Sequence, residues 1–213
     1  MKKTILFDLD GTLTDSGEGI MNCAKLALTA YGLPVPEDKV MRTFVGPPLE
    51  VSFARQGMKE ADIPDAIEVF RKRYTAVGKY ENFPYPGIHE VLKTLKDEGH
   101  TLCVATSKPE VMALDIMDHF KLAPYFTRIC GATLDRKRIT KEDVITFLLD
   151  SMGNPDNLLM IGDTQYDVIG ANAHGIPTIG VTWGYGEEDA IRDAGAAAIA
   201  HNMQELLSLI NQF

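Results

Sequence analysis

Two aspartates, Asp8 and Asp10, follow the apolar run Ile5-Leu6-Phe7 and stand two residues apart, just before Gly11. In an extended segment both carboxylates project to one face, and Gly11 lets the backbone turn sharply away. Like charges held that close repel unless a cation neutralises them or one carboxyl stays protonated. Asp163 follows a second apolar run, Leu158 to Ile161, and Thr106 and Ser107 follow a third, Leu102 to Ala105. With Lys141 the candidates are three carboxylates, two hydroxyls and one ammonium. Carboxylates without His or Cys suit a hard cation, and Mg2+ in particular combines a few of them with water and a phosphate oxygen. Hydroxyls, helix-start amides and a lysine suit a phosphoryl group. Together they point to phosphoryl transfer, in which positioning and charge neutralisation supply most of the catalysis. Asp8 has the place of a nucleophile that also touches the cation, and Asp10 that of the acid and base. Thr106 and Ser107 can bond phosphoryl oxygens, and Lys141 can balance their charge.

These residues must be held by strands. From Pro84-Tyr85-Pro86-Gly87 onward the pattern alternates: helix His89 to Glu98, strand Thr101 to Ala105, helix Glu110 to His119 and strand Phe126 to Cys130. It continues with helix Lys141 to Ser151, strand Asn157 to Ile161, helix Tyr166 to His174 and strand Pro177 to Val181. Such alternation predicts parallel strands joined by right-handed helical crossovers. The first strand, Thr4 to Leu9, finds its partners there. Between them, Asp15 to Phe83 carries helical spacing (Gly17 to Tyr31, Lys39 to Phe44, Leu49 to Arg55, Ala61 to Val77) and no convincing strand. The predicted architecture is a doubly wound, Rossmann-like α/β core, residues 1–14 and 84–213, with an all-helical insertion, residues 15–83. In such sheets ligands bind beyond the C-terminal strand ends, which is where the candidate residues fall.

Lys141 is set apart from the basic run Arg136-Lys137-Arg138 by its neighbours. It follows Thr140, a helix cap with Asp143 three residues on, so the helix dipole disfavours a cation there unless an anion binds close by. Lys108 is the next candidate. A net charge of −9 argues against a nucleic-acid polymer or an anionic membrane as partner. Cys23, Cys103 and Cys130 are widely spaced and odd in number, which fits packing residues in a reducing compartment. Asp8 and Asp10 interrupt what would have to be the apolar region of a signal peptide, so a cytoplasmic protein is expected. The histidines show no ligand spacing, and Trp183 reads as a packing residue.

Phe7 to Thr12 (FDLDGT), Val104 to Ser107 (VATS), Lys141, and Ile161 to Asp167 (IGDTQYD) resemble the four motifs of the haloacid-dehalogenase-like (HAD) hydrolase superfamily. The helical insertion, Thr14-Asp15-Ser16 and Thr182 to Gly186 (TWGYG) resemble its phosphoglycolate-phosphatase-like branch, whose insertion is a small cap. The resemblance implies that Asp8 is nucleophile and Mg2+ ligand, that Asp10 is acid/base and a ligand through its backbone carbonyl, and that Asp163 is the third protein ligand. Asp167 would support the metal site, although it could instead cap its own helix. The loop around Arg42 to Leu49 would face the core, making Arg42 and the Gly46-Pro47-Pro48 turn candidates for substrate selection. Dehalogenases of this superfamily lack the second aspartate, so Asp10 favours a phosphate ester. The expected substrate is a small phosphate monoester, phosphoglycolate or a nucleoside 5'-monophosphate. The alternatives are a sugar phosphomutase and a phospho-accepting signalling module without turnover.

Overall fold

The computed structural model describes residues 1–135 and 137–213. In chain order, β1 (Thr4–Phe7) leads through a tight turn to β2 (Thr14–Asp15), and the helices α1 (Gly17–Ala30), α2 (Asp38–Met41), α3 (Leu49–Arg55) and α4 (Ile63–Ala76) follow. The short strand β3 (Phe83–Pro84) pairs with β2. Then come α5 (Ile88–Asp97), β4 (Thr101–Pro109), α6 (Glu110–His119), β5 (Arg128–Ala132), α7 (Lys141–Met152) and β6 (Leu158–Gly162). The chain ends with α8 (Gln165–Asn172), β7 (Thr178–Val181), α9 (Glu188–Asp193), β8 (Ala198–Ala200) and α10 (Met203–Gln212). It divides into two compact units, Met1–Thr14 with Pro84–Phe213, and Asp15–Phe83.

The first unit holds a six-stranded parallel sheet in the order β5-β4-β1-β6-β7-β8. Alternation along its strands supplies both faces at once. Ile5, Phe7, Leu102, Val104, Leu159 and Ile161 pack against α5, α6 and α10, whereas Leu6, Cys103, Ala105 and Met160 pack against α7 and α8. A strand covered on both sides has to be apolar throughout, and all four residues of β1 are buried. The chain moves outward from β1 through β4 to β5, then returns to β6 on the other side of β1. That reversal makes the C-terminal ends of β1 and β6 the topological switch point, where open α/β sheets leave a crevice.

Some boundaries differ from the sequence expectations, for physical reasons. β1 stops at Phe7, because the amides of Leu13 and Thr14 turn back onto the carbonyl of Leu9. β4 runs on to Pro109 through a register shift between Thr106 and Pro109. The tail beyond Val181 adds α9, β8 and α10, whose strand Ala198–Ala200 is too short and alanine-rich to stand out by periodicity. Among the described residues no helix is long and apolar enough to cross a membrane.

In the second unit, Ile20, Cys23, Ala24, Ala27 and Leu28 form the buried face of α1, at helical spacing. Ile63, Ala66, Ile67, Phe70 and Tyr74 form that of α4. The rings of Phe44 and Phe53 meet edge to face, 5.4 Å between centroids. Arg73 on α4 grips Glu81 through two bonds, 2.7 and 2.8 Å, and Asn22 of α1 donates to the same carboxylate at 3.4 Å. Arg73 therefore holds the Glu81 carboxyl below the usual range. A depressed carboxylate contributes stability above its unfolded value and loses that contribution as pH falls through the folded value. Glu81→Gln is expected to cost about 1 kcal/mol at pH 7 in urea unfolding, and progressively less as the pH falls below the ordinary glutamate range. Equal midpoints for the two proteins at pH 7 would contradict this.

Candidate active site

The residue after β1 decides the local electrostatics. Asp8 is tied to β6 by its amide, which donates to the carbonyl of Ile161 at 2.9 Å. It has the same parity along the chain as Leu6, whose side chain faces α7 and α8, and its charged partner comes from α7. Lys141 opens that helix behind a reciprocal cap, with Asp143 N–H donating to Thr140 Oγ1 (3.1 Å) and Thr140 N–H to Asp143 Oδ2 (3.0 Å). The Lys141 ammonium lies 2.7 Å from Asp8 Oδ1 and 2.7 Å from Asp167 Oδ1, and donates to the carbonyl of Ala105 at 2.8 Å. Burial opposes its charge, but Asp167 and Asp8 more than offset that and hold its pKa above the ordinary lysine range. Asp167 also caps α8, accepting from the amide and the hydroxyl of Thr164 at 3.0 and 2.9 Å. Asp167 is thus at once the cap of α8 and a member of the buried acidic cluster.

Asp163 is fully buried at the end of β6. Thr12 Oγ1 donates to its Oδ1 (3.1 Å), and the amide of Tyr185 donates to its Oδ2 (2.8 Å). Thr12 is itself anchored, since Trp183 Nε1 donates to its carbonyl at 3.1 Å. Trp183, which packs against the core of this unit, thereby also ties down the turn after β1. Glycines close the cradle. A Cβ on Gly184 would stand 2.2 Å from Asp163 Oδ2, and one on Gly186 would stand 2.0 Å from the Asp163 carbonyl oxygen. Burial, then the charges of Asp167 and Asp8, push the Asp163 carboxyl well above its ordinary value. Asp8 is raised to about 6, because burial outweighs the pull of Lys141.

Asp10 pairs with a different lysine from Asp8. Its two oxygens lie 2.8 and 2.6 Å from Lys108 Nζ. The strand expected through Leu9 ends at Phe7, so each aspartate is held by its own lysine rather than by strand pairing alone. Thr106 is buried at the end of the regular part of β4, and its hydroxyl accepts from the amide of Lys108 at 3.2 Å. Ser107 is exposed. The core thus gathers Asp8, Asp10, Thr106, Lys141, Asp163 and Asp167 at the C-terminal edge of β1, β4 and β6. Arg42 and Gly46 belong to the helical unit: Arg42 is exposed on a 3-10 turn, and Gly46 has a φ of 101°. Of the basic run, Arg136 lies outside the described residues, Lys137 is exposed, and Arg138 is bound to Glu110 and to the Gly131 carbonyl. In the sequence Thr12 and Tyr185 stand out only as parts of FDLDGT and TWGYG, with nothing that assigns them to Asp163.

Ligand oxygens of Asp8, Asp163 and Asp167 all lie within 4.8 Å of one another. Three carboxylates against the single ammonium of Lys141 leave two negative charges when all are ionised. A hard divalent cation such as Mg2+ fits that excess and the all-oxygen donor set. The elevated pKa values of Asp8 and Asp163 reflect burial first, to which the neighbouring carboxylates add. Gly184→Ala is expected to displace the Asp163 carboxylate and weaken Mg2+ binding about tenfold or more, measured as thermal shift of EDTA-stripped protein against added Mg2+. An unchanged titration would show that Asp163 takes no part in holding the ion.

Sequence and structure comparisons agree with this geometry. The family profile for the haloacid dehalogenase-like hydrolase matches residues 5–181. A 5'-nucleotidase of Pseudomonas aeruginosa is 45% identical over 190 residues, 88% of this chain and 86% of that one. Tyrosine-protein kinase PtkA of Mycobacterium tuberculosis is 40% identical over 92% of this chain and 68% of its own. A phosphoglycolate phosphatase of Agrobacterium fabrum is 32% identical over 95% of this chain and 93% of its own. Among solved structures, a predicted phosphatase from Clostridium acetobutylicum superimposes with a TM-score of 0.94 at 44% identity, covering 100% of both chains. With its motifs at the switch point of the sheet and these relatives across nearly its whole length, the chain belongs to the haloacid dehalogenase-like hydrolase family and is an enzyme of its phosphatase group.

Proposed function

We propose that this enzyme is a Mg2+-dependent phosphatase that hydrolyses a small phosphate monoester through an aspartyl phosphate on Asp8. One observation carries the proposal: a buried carboxylate at the switch point, tied to β6 by its own amide and held by Lys141 within a cluster of further acids. Asp8, Asp163 and the backbone carbonyl of Asp10 would hold the cation, with Asp167 supporting it. Bound Mg2+ would supply charge neutralisation and orientation for the phosphoryl group. Lys141 holds Asp8 by Oδ1, which would leave the other oxygen to attack phosphorus. Thr106 and Ser107 would bond phosphoryl oxygens. In the first half-reaction an Asp8 oxygen attacks phosphorus, the ester P–O bond breaks, and Asp10 gives the departing alkoxide its proton. In the second, Asp10 takes a proton from water, the water oxygen bonds phosphorus, and the electron pair of the breaking P–O bond returns to Asp8.

The helical unit, residues 15–83, would serve as a cap that excludes water and selects the leaving group, with Arg42 and the Gly46 turn as selecting residues. The 5'-nucleotidase relative supports a nucleoside 5'-monophosphate as substrate, and the phosphoglycolate phosphatase supports phosphoglycolate. The same aspartyl phosphate could pass to an acceptor hydroxyl instead of water. A sugar phosphomutase works in that way, and the relative named as a tyrosine kinase makes a tyrosine peptide a necessary control acceptor.

Phosphate release from 4-nitrophenyl phosphate is expected to stop with EDTA and return with Mg2+. Asp8→Asn should lose at least about a thousandfold in kcat. Magnesium-dependent turnover retained in that variant would remove Asp8 as nucleophile. Asp10→Asn should slow release of an alkyl alcohol by about a hundredfold or more. In a panel of monoesters, nucleoside 5'-monophosphates and phosphoglycolate should give the highest kcat/KM values. Isomerised sugar phosphate, phosphotyrosine, or stoichiometric phosphorylation without release would each point to one of the alternatives.

A further inference from the structure

Lys108 lies outside the motifs that identify the family, yet it makes the closest charged contact at Asp10. Its ammonium touches both oxygens of that carboxylate, at 2.8 and 2.6 Å, and its side chain is only 6% exposed, against 16% for Asp10. The backbone is shaped to bring it there. β4 pairs regularly with β5 up to Thr106 opposite Gly131, and the next pair is Pro109 opposite Ala132. Three steps along β4 thus answer one step along β5. Ser107 and Lys108 are the surplus residues, and such a bulge re-aims side chains that a regular strand would send elsewhere. The deformation is stabilised locally. Lys108 N–H donates to Thr106 Oγ1, and Gly131 lets the strands approach so closely that a Cβ there would stand 2.5 Å from the Lys108 carbonyl oxygen.

We propose that Lys108 is a positioning residue for Asp10 that serves chiefly the second half-reaction, the attack of water on the aspartyl phosphate. The proposal rests on the phosphatase function above. An aspartate has only two side-chain torsions, and an ammonium touching both oxygens restrains the second of them. The carboxylate is then presented to water in one orientation. Lys141 does the same for Asp8, so each of the two aspartates has its own buried lysine. The alternative task for Lys108, direct binding of the transferred phosphoryl group, would act on both half-reactions alike.

The test is pre-steady-state hydrolysis of 4-nitrophenyl phosphate by the Mg2+-loaded enzyme. Its leaving group departs without a proton, so the first half-reaction needs little from Asp10. Lys108→Met should release about one equivalent of 4-nitrophenolate at nearly the wild-type rate and then turn over about 10- to 100-fold more slowly, with KM unchanged or lower. Acid-quenched Lys108→Met should carry the trapped phosphoryl group, and Lys108→Arg should recover part of the turnover. Loss of the burst itself together with a raised KM would assign Lys108 to phosphate binding and overturn the proposal. Unchanged steady-state turnover in Lys108→Met would overturn it as well. Asp8→Asn, measured alongside, separates the two levels: turnover in that variant defeats the underlying mechanism, whereas its absence leaves the Lys108 result to be judged alone.

Discussion

Burial of several carboxylates around one ammonium is the constraint on which the rest of this core depends. Asp163 and Asp167 have no exposed surface, and Lys141 is 5% exposed. Isolated charges in such surroundings would cost several kcal/mol each. The group is tolerable because its members neutralise one another in part and because backbone amides and hydroxyls occupy both oxygens of Asp163 and Oδ2 of Asp167. Neutralisation is incomplete, since three carboxylates share one ammonium, and burial keeps the carboxyls of Asp8 and Asp163 above their ordinary values. A site in this condition is predisposed to bind a cation, since the ion relieves a cost already present in the folded chain.

Topology converts that constraint into a place. The sheet reverses direction between β1 and β6, so the ends of these neighbours are left without a crossover helix above them. Asp8 and Asp163 leave the sheet there, and α7 and α8 start beside it, bringing Lys141 and Asp167 from their first turns. Lys141 sits where the helix dipole works against it, and its two carboxylate partners outweigh that penalty. Close packing sharpens the geometry further. Cβ atoms at Gly162 and Gly170 would stand 2.3 Å from the Cβ of Asp167 and 2.7 Å from that of Lys141, so both ionic side chains are seated directly on backbone.

Much of this was legible before any coordinates. Short continuous apolar runs alternating with period-3.6 stretches determined a parallel α/β core, and the change of pattern between Asp15 and Phe83 determined a separate helical segment. Strand-end acids, hydroxyls and a lysine set the class of chemistry, because those residue types leave few other uses for one another. Less could be read where periodicity is weak. The tail beyond Val181 holds short elements in an alanine-rich stretch, and Ala198 to Ala200 carries too little pattern to mark a strand.

Tertiary structure decided which groups meet. Local alternation put Asp8 and Asp10 together, and the packed sheet gives one acid Lys141 and the other Lys108 as its partner. The sequence offered both lysines as candidates for one task, and only the bulge in β4 and the cap of α7 assign them different partners. Thr12 and the amide of Tyr185 reach Asp163 from 151 and 22 residues away, by contacts that carry no residue signature of their own. Periodicity is a local property and survives in the sequence, whereas the direction of a side chain past a strand end depends on turns and registers set by the whole packed sheet.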